Sequence, residues 1–305
     1  MGCGASNSNV IFNFDRAKPL FAAGEIISGT VQLNVKDDSL KVNEIDLQLI
    51  GATGYSTRST DGNQHSRTNY HYVRFFATQY VFALPNGGER ELTYSNGQYS
   101  WPFQIQLPDQ IPPTMNLPRL YPHVRYYLQL AINKGGQKRK IGEEKYITVF
   151  PRVSLSQQVP NYMTATMFGN HNRKDITVKG TLNKTGFVPG EMIQGTLEIE
   201  NPNQILIKQV DLSINGTYNI QMQEAHFKVN TGTVQGIAQR KGERMVEKFE
   251  IMIPDKTLSP SYQFRGGQNN AAAATCSYML KFEIKAAGVF TNFEILVPFI
   301  LGTQP

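Results

Sequence analysis

Apolar and polar residues alternate with a period of two through most of the chain, in short runs cut by Gly, Pro, Asn and Asp. Val10, Phe12 and Phe14 fall on one side of such a run, as do Ile45, Leu47 and Leu49. Helical amphipathic spacing is missing nearly everywhere. About seven short runs in each half predict an antiparallel sandwich rather than a helical or mixed fold. The steps Leu107-Pro108 and Ile253-Pro254 end their strands, because proline has no N–H to give a ladder.

The runs occur twice in the same order. Phe21-Ala-Ala-Gly-Glu-Ile-Ile-Ser-Gly-Thr-Val-Gln-Leu33 aligns without gaps to Phe187-Val-Pro-Gly-Glu-Met-Ile-Gln-Gly-Thr-Leu-Glu-Ile199, with six identities. Each is a turn feeding a half-buried strand, with Gly24 and Gly190 free to take positive φ. Further pairs follow: Ile45–Gly51 with Val210–Gly216, Phe103–Asp109 with Phe249–Asp255, Tyr126–Leu130 with Tyr278–Phe282, and Val149–Pro151 with Leu296–Pro298. Ordered repetition on this scale indicates one domain present in two copies. The predicted fold is all-β, two tandem immunoglobulin-like antiparallel β-sandwich domains. A flexible arm covers 1–9, the first domain 10–153, a polar linker 154–174 and the second domain 175–302. Within the linker, residues 161–168 admit either a helical turn or a strand. Residues 53–72 read as a polar loop, and a loop of that length is usually functional or disordered.

Phe-x-x-Gly-Glu-x-Ile-x-Gly-x-Val-x-Leu near the N-terminus, Leu-Pro-Asp before a Pro-rich turn, and Tyr-x-Leu-x-Leu together resemble the arrestin superfamily. The likeness covers residues 9–301 and is strongest to the α-arrestins, the arrestin domain-containing proteins. It implies a membrane-associated adaptor that binds transmembrane cargo, receptors or transporters, and directs its endocytosis, sorting or ubiquitination. The location so implied is cytoplasmic, peripheral at the plasma membrane and endosomes. Ubiquitin ligases or endocytic machinery are the implied downstream partners. A retromer-type coat subunit in endosomal sorting is the alternative. The chain departs from the α-arrestin pattern in one respect: its Pro-Pro pair, Pro112-Pro113, is followed by Thr-Met, so the Pro-Pro-x-Tyr route to a ligase is not seen. By the same resemblance, Arg16 and Lys18 stand where arrestins place phosphate-contacting cations. Residues 53–72 fall in the region of the cargo-contacting finger loop.

Composition narrows the class. A net charge of +6 is spread along the chain, with 16 Lys/Arg against 12 Asp/Glu before residue 155 and 14 against 12 after it. That is too mild for a nucleic-acid partner. The two cysteines, Cys3 and Cys276, make no disulfide framework and fit a reducing compartment. Together with the lack of a secretory leader or apolar span, this counts against an extracellular adhesion module. No histidine stands at ligand spacing with Cys, Asp or Glu, and no Gly-x-Ser-x-Gly elbow occurs. The expectation is therefore no enzyme, no catalytic or metal residue and no cofactor.

Two features could meet a membrane. Met1-Gly2-Cys3-Gly4-Ala5-Ser6 fits N-myristoylation at Gly2 with S-palmitoylation at Cys3. Two chains matter because one myristoyl group binds only marginally, at about 10⁴ M⁻¹. Lys134, Lys138, Arg139 and Lys140 surround a Gly135-Gly136 turn. They read either as a solvated hairpin tip, the favoured reading, or as a contact for phosphate or acidic lipid, at about 1 kcal/mol per cation. Tyr127-Leu-Gln-Leu and Tyr146-Ile-Thr-Val resemble tyrosine sorting signals but lie in predicted strands, where packing accounts for them.

Overall fold

A computed structural model describes residues 9–304 except 61–65, 88, 159–165, 171–174 and 289–291. The chain divides into two compact units. One runs to Pro151 and takes in Ile220–Gln223 and Phe264–Ala274, and the other comprises the remainder.

Among the described residues, eight strands precede Pro151: β1 (Asn9–Phe14), β2 (Leu20–Ala22), β3 (Ile26–Val42), β4 (Glu44–Thr60), β5 (Ser66–Ala83), β6 (Leu92–Gln106), β7 (His123–Lys134) and β8 (Gln137–Phe150). They form a three-stranded sheet, β1-β3-β6, and a five-stranded sheet, β2-β8-β7-β4-β5. Inward positions of the two sheets meet in one core: Val31 and Leu33 from β3 pack with Ile45 of β4, Leu130 and Ile132 of β7, and Ile141 of β8. Burying each such side chain stabilises the unit by roughly 2 kcal/mol. Val10 and Phe12 close this core from β1, as the alternation predicts.

The later strands are β9 (Thr166–Gly169), β10 (Thr177–Leu182), β11 (Gly186–Phe187), β12 (Met192–Glu200), β13 (Ile207–Ile220), β14 (Gln223–Thr233), β15 (Arg244–Met252), β16 (Tyr262–Gly266), β17 (Ala272–Ala286) and β18 (Asn292–Leu301). They build a four-stranded sheet, β15-β12-β10-β9, and a six-stranded sheet, β11-β18-β17-β13-β14 with β16 beside β17. Phe282 of β17 bridges the layers, with its ring 5.0 Å from both Phe168 of β9 and Phe249 of β15.

The duplicated motif folds the same way twice. Gly24 and Gly190 turn with φ of +78° and +87°. Their N–H groups donate to the carbonyls of Pro108 (3.1 Å) and Ile253 (3.0 Å), which joins the turn to the end of the Pro-Asp strand. The next glutamate reaches back three residues: Glu25 accepts from the Ala22 N–H at 2.8 Å, Glu191 from the Val188 N–H at 2.9 Å. The residues before the turn make a short parallel pairing, β2 with β8 and β11 with β18. Buried Tyr126 and Tyr278 each donate to a loop carbonyl, of Pro112 (2.6 Å) and Ser259 (2.7 Å).

The structure corrects three sequence expectations. Among the described residues, eight and ten strands replace about seven per copy, because segments as short as β2 and β11 carry no visible alternation. Residues 53–60 and 66–72 are not loop but the arms of a hairpin, in register from Thr53↔Val73 to Thr60↔Ser66. Thr and Tyr are good strand formers, yet both faces of these arms carry polar groups, so no apolar alternation marked them. In the linker, a short helix α1 (Leu155–Gln158) precedes strand β9, and residues 161–165 lie outside the described residues.

Candidate functional site

Gly2 and Cys3 lie outside the described residues. Of the six basic candidates, Arg16 is held inside the duplicated turn. Its guanidinium donates to the Leu20 carbonyl (2.5 Å) and to Glu25 (3.3 Å), and lies 4.3 Å from the Phe21 ring centroid. The second copy repeats this with Lys184, which bonds Glu191 at 2.8 Å and sits 5.0 Å from Phe187. A cation beside this glutamate therefore belongs to the turn itself. Lys18 is exposed and makes no ion pair among the described residues.

The remaining four candidates share the β7–β8 hairpin. Gly135 and Gly136 have φ of +58° and +79°, the backbone that two-residue hairpins require. Pairing runs Lys134↔Gln137, Asn133↔Lys138, Ile132↔Arg139 and Ala131↔Lys140. Alternate residues of a strand face opposite ways, so Lys138 and Lys140 share one face and Arg139 takes the other. Lys138 bonds fully buried Asp46 at 2.9 Å, and Lys140 lies 3.6 Å from Glu144. The run of three cations is thus divided by the pleat and partly neutralised, leaving Lys134 and Arg139 toward solvent.

A more elaborate cationic site lies on the outer face of the five-stranded sheet, and sequence reading missed it. Arg125 of β7 stands 5.6, 5.5 and 5.7 Å from the ring centroids of Tyr72, Tyr127 and Tyr146. It donates to the Tyr146 hydroxyl (3.2 Å) and the Pro118 carbonyl (3.3 Å), while its buried Nε has no partner. The Tyr72 and Tyr127 hydroxyls are 2.9 Å apart, and Tyr146 donates to Glu144 at 2.6 Å. Burial and that bond push the Tyr146 hydroxyl up to about 12, and burial with the Tyr72 bond raises Tyr127 as well. Tyr127 and Tyr146 therefore stay neutral, and the cage holds the Arg125 guanidinium by cation–π contact. Nearby His123 is 1% exposed, with Nδ1 2.8 Å from the Leu120 carbonyl. Burial lowers its pKa, the Leu120 bond opposes that, and Arg125 adds to the lowering. Arg125 and Tyr127 already stand two apart in sequence, but joining them to Tyr72 and Tyr146 required the strand register. The two tyrosines of the sorting-like motifs are members of this cage.

Cys276 is buried, its thiol pushed up to about 12 by burial, which suits a packing role. Among the described residues no group of three or more His, Cys, Asp or Glu could hold a metal ion. No helix among them is long and apolar enough to cross a membrane. What the first unit offers is a sheet face carrying packed cations and aromatics.

Residues 10–156 match the family described as arrestin (or S-antigen), N-terminal domain, and residues 172–305 match arrestin (or S-antigen), C-terminal domain. No curated protein matches the chain.

Proposed function

Because the chain belongs to the arrestin superfamily, we propose that it works at membranes, capturing transmembrane cargo and passing it to the endocytic or sorting machinery. A general adaptor or scaffold role in trafficking or signalling follows from the two matched domains. The finer reading rests on one observation: the outer sheet face of the first unit holds Arg125 among Tyr72, Tyr127 and Tyr146, with Glu144 bonded to Tyr146. Such a face suits the anionic cytosolic side of a membrane and the protein tails beside it. Lys18, Lys134 and Arg139 are exposed for the same kind of contact, whereas Arg16, Lys138 and Lys140 have carboxylates beside them. Where Met1 is the initiator, myristoyl and palmitoyl groups on Gly2 and Cys3 would supply a stable tether.

Proximity labelling from the protein in living cells tests this reading. Transmembrane proteins should dominate the labelled set, and Gly2→Ala should reduce their share. Labelling confined to soluble proteins would overturn the proposal. Stable, stoichiometric recovery with a fixed set of partners would instead favour a coat subunit.

A further inference from the structure

The strand register collects a second feature at one end of the same sheet. Along β4, residues 52, 54, 56 and 58 point to one face. Their partners on that face are Arg74, Tyr72 and Tyr70 of β5, with Arg125 and His123 of β7 on the other side. Beyond the start of β7, the turn Leu117-Pro-Arg-Leu-Tyr121 folds over this end. The Leu120 N–H bonds the Leu117 carbonyl at 3.0 Å, and Tyr121 packs on Tyr70 with ring centroids 4.8 Å apart. Arg125 ties the turn down through the Pro118 carbonyl.

Two properties of this corner stand out. Its apolar side chains face water: Leu117 is 65% exposed, Leu120 52% and Tyr70 66%. Among the described residues its arginines lack carboxylate partners as well. Arginine ion pairs among the described residues occur at Arg16, Arg240 and Arg244, whereas Arg58, Arg74 and Arg119 are exposed without one. From Gln110 through Gly142 there are six Lys/Arg and no Asp/Glu. Exposed leucines cost free energy in water without a partner, and unpaired arginines spread along this end of the sheet favour an anionic surface.

We propose that this corner is a membrane-docking surface for anionic lipid, in which Leu117, Leu120 and Tyr70 enter the interfacial layer and Arg58, Arg74 and Arg119 meet headgroups. Leucines on a protruding turn suit shallow insertion, and tyrosine favours the headgroup level. Arginine side chains are long enough to reach phosphates while their stems remain beside apolar neighbours. A bilayer fits better than an acidic peptide, because the leucines project from a turn rather than lining a groove. The contact needs no acyl chain, so it stands apart from the tether at Gly2.

The test uses the full chain carrying Gly2→Ala, sedimented with vesicles of phosphatidylcholine alone or mixed with phosphatidylserine. Binding should require phosphatidylserine and weaken with salt. Arg58→Ser with Arg119→Ser should weaken it about 25-fold, at about five-fold per cation. Leu117→Ser with Leu120→Ser should weaken it about ten-fold. All four positions are exposed, so thermal unfolding should be unchanged, and Lys256→Ser in the other unit should bind as the parent does. Equal binding to both vesicle types, or binding that survives both pairs of substitutions, would overturn the proposal. So would failure to bind vesicles while a poly-glutamate peptide binds, which would assign the corner to an acidic protein partner.

Discussion

At single residues, the two copies of the Phe-x-x-Gly-Glu turn offer an internal comparison. Both glycines hold positive φ, so an alanine at either costs about 1–2 kcal/mol in backbone strain. They differ in surroundings. A Cβ on Gly24 would come within 2.3 Å of the Asp109 carboxylate, whereas at Gly190 the nearest atom, on Asp255, is 3.7 Å away. Gly24→Ala should therefore lower the urea midpoint more than Gly190→Ala does, and Asp109→Ala should narrow the gap. Equal losses, unaffected by Asp109→Ala, would mean that backbone strain alone decides. Both glycines were legible from sequence, because a turn before an alternating strand calls for them. The role of Arg16 was not. Its match with Lys184 hides behind unlike residues at different offsets from the turn, and only contacts with Glu25 and Glu191 reveal it.

Among elements, the β7–β8 hairpin separates cations that look equivalent in sequence. Lys138 is the direct ion partner of Asp46, which is fully buried with one oxygen already unpaired. Removing it leaves that carboxylate with Gln48 as its remaining bonded side chain, so Lys138→Ala should cost about 2 kcal/mol. Lys134→Ala and Arg139→Ala touch solvent and should stay within about 0.5 kcal/mol. Urea unfolding of the three variants checks the order. The hairpin itself was readable from Gly135-Gly136 between two alternating runs. The division of its cations was not, because facing is set by register. Polar arms hid the 53–72 hairpin for a related reason: alternation shows only where one face is apolar. The Arg125 cage lies further from reach, since it draws tyrosines from β5, β7 and β8.

For the whole molecule, duplication carried the fold assignment and both family matches agree with it. Function is less legible, because an adaptor works through surface side chains that no core periodicity constrains. The proposal places cargo capture and membrane contact on the cationic, aromatic sheet face of the first unit, with acylation as an added tether. On that arrangement, cargo moves because this protein is present. The direct measurement is the rate at which a transmembrane protein labelled by it in cells leaves the plasma membrane or an endosome, with and without the protein. Departure should slow in its absence and be restored by the parent chain, but not by Arg58→Ser with Arg119→Ser in the Gly2→Ala background. Departure at an unchanged rate when the protein is removed would contradict it.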